Sequence, residues 1–145
     1  MSAFASAAEF RKVFDLLFSV LSRGEGFGPR LKALGKAQRF VIRDLGLTLD
    51  VDGVKAGAAK GESLRWAWNG KRRDWLPAVV LELDAATANA FFQGKVNLPK
   101  ELMTGGITIV EGSAAVPLST LPILKSFYPL WVERMRQEGW SRFVA

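Results

Sequence analysis

The N-terminal part of the chain alternates apolar and polar residues at helical spacing. Apolar side chains return every three or four positions over residues 10–21, which is typical of a helix with a wide buried face. Ser6 and Glu9 have the spacing of a capping box, in which each side chain satisfies a free backbone amide. We therefore expect a helix over residues 6–22 and a shorter one over residues 29–34.

The middle of the chain changes to an alternation of period two. The strictest example covers residues 47–52, where apolar and polar residues alternate without exception and predict a half-buried strand. Similar patterns cover residues 39–43 and 64–68, and the short spacing between these segments favours an antiparallel meander. Two further strands are predicted at residues 78–83 and 107–110, which makes the chain α+β with a five-stranded, mostly antiparallel sheet.

Helical segments lie between the last two strands and after them. Asp84 is placed to cap a helix over residues 85–93, and a short helix opened by Asn97 and closed by Gly105 comes next. Three prolines interrupt the C-terminal segment 113–138. They predict two helices with a break between them, near residues 116–125 and 126–138, since proline breaks a helix interior.

Length and composition limit the classes of function. The 145 residues suit one domain, and we assign residues 1–145 to it. The chain has no cysteine and no histidine, which excludes disulfides, thiolate or imidazole metal sites and the most common general base. We expect no metal and no cofactor. An enzyme remains a minor alternative, with Glu82, Asp84, Glu101 or Lys95 as the acid or base.

The charge pattern favours no polymeric partner. The net charge is +6, and the densest basic cluster, Lys71-Arg72-Arg73, is expected to be a solvated turn, with contact to an anionic membrane or to an acidic partner as the alternative. No nucleic-acid motif is recognisable. The N-terminus lacks the basic start of a secretory signal and no uncharged apolar run reaches 18 residues, so we expect a soluble, cytoplasmic protein.

One stretch resembles a known family. Gly94-Lys95-Val96-Asn97-Leu98-Pro99, followed by Met103-Thr104-Gly105 and by Ile107 and Ile109 in the next strand, is similar to the second half of sterol carrier protein type two domains. The order of predicted elements is also similar, and the proline-rich C-terminal segment resembles stand-alone bacterial members. This chain departs from the family pattern at Leu98, which separates Asn97 from Pro99.

The resemblance implies helices on one face of the sheet and an apolar tunnel between the two layers. The wall residues that it implies come from the strands and from the covering helices. The strands would supply Phe40, Ile42, Leu49, Val79, Leu81, Ile107 and Ile109, and the helices would supply Phe91, Phe92, Leu102, Met103, Leu121, Leu124, Phe127 and Trp131. Each of these residues could instead be ordinary core, so the prediction concerns the set.

The function implied is non-catalytic binding or transfer of a hydrophobic small molecule, such as a fatty acid, phospholipid, sterol-like compound or isoprenoid quinone. The alternative is an accessory or scaffold subunit of a membrane-linked lipid or quinone biosynthetic complex. The apolar C-terminal segment 121–135, with Lys125, Arg134 and Arg136 beside it, could form a lid, a transient contact with a membrane surface or a homodimer interface.

Overall fold

The computed structural model describes residues 4–53, 61–70 and 76–145, and within these ranges the chain forms helices and one five-stranded sheet. The basic cluster at residues 71–73 lies outside the described residues. The helices are α1 (Ala7–Arg23), α2 (Gly28–Leu34), α3 (Ala85–Phe91), α4 (Leu98–Thr104), α5 (Ala115–Leu124) and α6 (Phe127–Gln137). The strands are β1 (Gln38–Ile42), β2 (Leu47–Asp52), β3 (Arg65–Trp68), β4 (Val79–Leu83) and β5 (Ile107–Gly112).

The sheet has the strand order β3-β2-β1-β4-β5. The pairs β1–β2, β2–β3 and β4–β5 are antiparallel, whereas β1 and β4 are parallel. The predictions of an α+β fold and a mostly antiparallel sheet are confirmed. The parallel pair was not predicted, because periodicity within a strand carries no information about its neighbours in the sheet.

One face of the sheet is apolar across all five strands. Phe40 lies opposite Leu49 on one side and opposite Leu81 on the other. The same row continues outwards to Trp68 of β3 and to Ile109 of β5. Because all five residues share one face, the row forms a continuous apolar floor that the helices cover.

The opposite face of the sheet carries cross-strand ion pairs. Arg39 and Asp50 are direct partners in the register of β1 and β2, with Arg39 Nε 2.7 Å from Asp50 Oδ1. Arg65 and Asp52 are the corresponding partners between β2 and β3, at 2.9 Å. The hydrogen bond from Arg39 to Asp50 raises the pKa of the arginine. The strict alternation of β2 thus separates a buried apolar face from an ionic one.

Helix α1 is tied to the sheet by aromatic packing and by one carboxylate. Phe10 packs edge to face on Trp68, with ring centroids 6.1 Å apart. The Asp15 carboxylate accepts hydrogen bonds from both indoles of β3, at 3.0 Å from Trp66 Nε1 and 2.8 Å from Trp68 Nε1. These contacts set the position of α1 above the β3 end of the sheet.

The caps of two helices follow the sequence signals. The Ser6 hydroxyl accepts from the Glu9 amide at 3.1 Å, as a capping box requires. The Glu9 carboxylate reaches back to the amide of Ala5, at 2.8 Å. Asn97 caps α4 by accepting from the Lys100 amide at 3.1 Å.

The cap predicted for α3 is wrong in the residue that accepts the hydrogen bond. Asp84 occupies the N-cap position but makes no capping hydrogen bond with its side chain. Its carboxylate faces Arg43 at 3.4 Å. The Ala85 amide donates to Asp44 Oδ1 at 2.8 Å, so a residue 41 positions away completes the helix start. Sequence spacing could not reveal this, because the contact depends on the parallel pairing of β1 and β4.

The C-terminal segment forms two helices, as predicted, and then packs back onto α3. Phe143 is 1% exposed, and its carbonyl accepts hydrogen bonds from Asn89 and Gln93 at 2.8 and 2.9 Å. Among the described residues, no helix is both long and apolar enough to cross a bilayer.

Candidate functional site

A cavity of about 50 Å³ lies between the sheet and its helical cover. Its floor is the inner face of β1 and β2, and its roof is built from α1, α2, α3 and α5. Space of this size holds a few water-sized groups, since each needs roughly 10–15 Å³ in the same measure. The residues in its wall are Phe18, Leu21, Leu31, Leu34, Lys36, Gln38, Phe40, Val51, Gly53, Leu64, Phe91, Phe92, Val116, Ser119, Thr120 and Leu124.

The helices reach the cavity with their apolar sides. Helix α2 has Leu31 and Leu34 three residues apart, which places both on one side of the helix, while Arg30, Lys32 and Ala33 are exposed. Helix α2 begins at Gly28 and ends at Leu34, and the following Gly35 caps it in a left-handed conformation with φ of 63°. A two-turn helix thereby closes one side of the cavity.

Polar groups lie among the apolar wall residues. Lys36 is exposed and Gln38 is half-buried on the strand that follows it. Ser119 and Thr120 donate their hydroxyl hydrogens to backbone carbonyls of α5, at 2.6 and 2.7 Å, so their oxygens keep acceptor capacity. Lys36 is the one ionisable side chain in the cavity wall formed by the described residues.

A second, smaller void continues the first one along the sheet. It measures about 10 Å³ and its wall is apolar: Phe40, Leu81, Leu83, Phe91, Phe92, Leu98, Ile107 and Pro117. Three phenylalanines, Phe40, Phe91 and Phe92, belong to both walls. These three residues, called here the phenylalanine partition, lie between the two spaces.

The rings of the phenylalanine partition differ in how firmly they are held. Phe92 lies 5.4 to 6.1 Å from the rings of Phe14, Phe18 and Phe40, measured between centroids. Phe91 has one ring neighbour among the described aromatic pairs, Phe92 at 5.0 Å. The surroundings therefore restrict Phe92 more than Phe91.

The structure brings six of the predicted wall residues to these two spaces. They are Phe40, Leu81, Phe91, Phe92, Ile107 and Leu124. Ile42, Leu49, Val79, Phe127 and Trp131 are buried in the core outside both walls, and Leu102, Ile109 and Leu121 are partly buried against it.

Met103 does not line the interior. Its side chain is 88% exposed, because α4 buries Leu98 and turns the residues near its C-terminal end towards solvent. The prediction that Met103 is a wall residue is therefore wrong.

The predicted apolar patch at residues 121–135 is not a surface patch. Leu124, Phe127 and Trp131 are all buried, the last two completely. The Trp131 indole N–H is enclosed without a hydrogen-bond partner among the described residues. Leu130, at 56% exposure, remains open to solvent.

Sequence reasoning missed the contribution of α1 and α2 to the wall. The periodicity predicts a wide buried face for α1 without a role in the wall, and it gives the short α2 no role. The apolar pair Leu31 and Leu34 was a readable signal, since it gives α2 an apolar side, but its position above β2 depends on the tertiary fold.

The candidate acid and base residues do not meet in this site. Glu82, Asp84, Glu101 and Lys95 are absent from both walls. Among the described residues there is also no group of three or more acidic side chains that could hold a metal ion.

Comparison with known proteins identifies the fold. No protein-family model and no curated protein matches the chain. Among solved structures, the sterol carrier protein domain 2 of Helicoverpa armigera matches 81% of this chain and 89% of its own length, with a TM-score of 0.58 and 16% identity. Sterol carrier protein 2 from Yarrowia lipolytica, in its apo form, matches 76% of this chain and 88% of its own length, with a TM-score of 0.53 and 16% identity. The chain has an SCP2-like sterol-carrier fold.

An enzyme also contains this fold. The stereoselective inverting sec-alkylsulfatase Pisa1 from Pseudomonas sp. matches 75% of this chain, with a TM-score of 0.56 and 16% identity. The chain spans 16% of the length of that sulfatase and so corresponds to one part of it.

Proposed function

We propose that this chain, with its sterol-carrier fold, is a non-catalytic binding or transfer protein for a hydrophobic small molecule. The observation that carries the proposal is the pair of spaces between sheet and helices, which are mostly apolar and share the phenylalanine partition in their walls. Two of the similar structures are named as sterol carriers, which supports the same reading.

The binding energy would come from buried apolar surface. Each methylene removed from water contributes about 0.8 kcal/mol, which is about fourfold in affinity per added carbon. The larger space accommodates the end of a chain, and a longer ligand needs the phenylalanine partition to move. Such a site requires no acid, base or nucleophile, in agreement with the absence of carboxylates from both walls.

The polar wall residues favour an amphiphile with a small head group. Lys36 can donate to an anionic head, and Gln38 can donate and accept. Fatty acids meet this requirement most directly; phospholipids, sterol-like compounds and isoprenoid quinones remain candidates to be compared in the same assay.

A matched pair of valine substitutions tests the proposal. Val116 lines the larger space, whereas Val132 is equally half-buried on α6 outside both walls. Val116→Phe should fill the space and abolish displacement of a fluorescent fatty acid, and Val132→Phe should leave displacement unchanged. Mass spectrometry of an organic extract from the purified protein should identify a bound amphiphile.

The alternative function is an accessory or scaffold subunit of a membrane-linked lipid or quinone biosynthetic complex. Leu130 at 56% exposure, beside half-buried Leu16 and Val20 in a groove between α1 and α6, is a surface that such a role could use. A ligand-free extract, together with no displacement by any amphiphile, would reject the carrier and favour this alternative.

A further inference from the structure

Helix α5 presents an uncharged side to solvent. Ala115, Leu118 and Pro122 are exposed at spacings of three and four residues, so they form one stripe along the helix. Lys125 continues the stripe just beyond the last helical residue. No residue of α5 carries a charge. The solvent-exposed face of a surface helix normally carries charged or polar residues, so a face without charge is unusual unless it binds a partner.

Helix α2 contributes positive charge next to this stripe. Arg30, Lys32 and Lys36 are exposed, while Leu31 and Leu34 face the cavity. The two helices contact each other, and both supply wall residues to the larger space. Lys36, two residues beyond the end of α2, and Ser119 of α5 belong to that wall and are also exposed, so the edge of the cavity lies between the cationic segment and the uncharged helix.

No acidic residue offsets these cations in the two segments. The sequence contains neither Asp nor Glu over residues 26–43 or 112–132. Within the described part of the chain, Arg30, Lys32, Lys36 and Lys125 form no ion pair. The local charge is therefore available to an external partner.

We infer that α2 and α5 form a docking surface for an anionic phospholipid membrane, with the mouth of the cavity towards the bilayer. Cations around an apolar stripe match the chemistry of such a surface, where phosphate groups lie outside the acyl chains. The inference rests on the proposed function, because a poorly soluble ligand must enter and leave the cavity where lipid is present. The geometry meets this requirement, because the two helices that border the cavity are the same two that would face the bilayer.

The four cations also explain how docking remains reversible. Each basic residue near an anionic surface strengthens binding about fivefold. At salt concentrations near physiological, this attraction is largely screened beyond a distance of about 8–10 Å. Leu118 and Pro122 would add only a shallow apolar contact, without a segment that inserts into the bilayer. The surface therefore supports transient contact.

Sedimentation with lipid vesicles tests the docking surface. Wild-type protein is mixed with vesicles of phosphatidylcholine alone or of phosphatidylcholine with phosphatidylglycerol, at low and at physiological salt. The double variant Arg30→Glu with Lys125→Glu reverses two cations that do not line the cavity. Its control, Lys12→Glu with Arg136→Glu, removes the same formal charge from exposed positions on α1 and α6. Leu118→Ser tests the apolar stripe separately.

The wild-type protein should bind the anionic vesicles and release them as salt rises. The docking variant should bind them at least about 25-fold more weakly, from two cations at about fivefold each, whereas the control should lose much less. Equal losses in both double variants would show that net charge alone acts and would overturn the inference. Equal binding to neutral and to anionic vesicles would also overturn the inference. Absence of binding to any vesicle would overturn it too and would favour a protein partner.

Ligand binding in solution separates this inference from the proposed function. Displacement of the fluorescent fatty acid, measured without vesicles, should be the same for the wild type, the docking variant and the control. Normal displacement with failed docking overturns the inference alone. Normal docking with failed displacement overturns the proposed function and removes the reason for docking.

Discussion

Phe91 and Phe92 meet edge to face, with ring centroids 5.0 Å apart and ring planes at 88°. They are consecutive residues at the end of α3, yet both reach the two spaces between the sheet and the helices. Because both rings border both spaces, we expect their positions to influence whether the interior is one channel or two separate voids. Phe92 is held by further aromatic neighbours, so Phe91 is the ring whose removal would join the spaces with the least disturbance.

Phe91→Ala should extend the range of ligands towards longer chains. Removing the ring joins the two spaces, so affinity should continue to rise at chain lengths where the wild type no longer gains. The measurement is displacement of a fluorescent fatty acid by a series of unlabelled fatty acids of increasing length. The substitution should also cost about 3 kcal/mol of unfolding free energy, as for other large-to-small changes in a core.

Phe127→Ala is the matched control for that change. Phe127 is 0% exposed and stacks on Trp131 with centroids 6.2 Å apart, but it belongs to neither wall, and its ring neighbours among the described aromatic pairs, Phe27 and Trp131, lie outside the phenylalanine partition. A similar loss of stability with an unchanged length preference is expected. If both variants shift the length preference alike, loosening of the core would explain the effect and the phenylalanine partition would lose its role.

Lys36→Met should reduce the preference for anionic amphiphiles. The ammonium group at the cavity wall can pair with a carboxylate, and an exposed pair of this kind contributes up to about 1 kcal/mol, or about fivefold. The measurement compares a fatty acid with the alcohol of the same chain length. Lys32→Met, on the preceding helix α2 and outside the wall, should leave the ratio unchanged. An unchanged ratio of the two affinities in both variants would show that Lys36 does not recognise the head group.

Asp15→Ala should destabilise the contact between α1 and β3. Its carboxylate accepts from two indoles, and Trp68 is 6% exposed, so the substitution leaves an enclosed N–H without a partner. We expect a loss of about 1–2 kcal/mol of unfolding free energy in urea. Asp15→Asn keeps an acceptor oxygen and should lose less. Equal losses for alanine and asparagine would show that the hydrogen bonds contribute little.

Burial raises the pKa of Tyr128 above its ordinary value of 10.0. Folding therefore favours the neutral phenol. The corresponding stability is complete below the unfolded pKa of 10.0 and is lost as the pH rises through the higher folded pKa. Because Tyr128 is the one tyrosine in the chain, ultraviolet difference spectroscopy of tyrosinate reports its ionisation directly.

Tyr128→Phe isolates this effect from the titration of lysines. Above pH 10 the unfolding free energy of the wild type should fall more steeply with pH than that of the variant. Near neutral pH the unfolding free energies of the two proteins should depend on pH in the same way. A tyrosinate titration with the same midpoint in folded and urea-unfolded protein would contradict the prediction.

The elements of the fold were predictable because their signals are local. The alternation of β2, the capping box at Ser6 and the stop at Gly105 each depend on residues within one or two turns of chain. Each of these predictions is confirmed. Asp84 shows the limit, since the carboxylate that caps α3 belongs to Asp44, which approaches only after β1 and β4 pair.

The candidate site was predictable only in part, for a related reason. The apolar pattern identified side chains that leave water, and Phe40, Phe91 and Phe92 were among them. It did not separate Ile42, which fills the core, from Phe40, which borders an empty space. Both positions have the same alternation, and their difference arises from how the helices above them are spaced.

Periodicity and composition determined the helices, the strands with one apolar face, and the absence of histidine and cysteine chemistry. Tertiary packing alone decided where the layers fail to close, which rings separate the remaining spaces, and that Met103 faces solvent. The physical reason is that burial of a side chain follows from its own hydrophobicity and local period. A cavity, in contrast, is a small difference between the volumes of many side chains from distant segments, and no single segment encodes it.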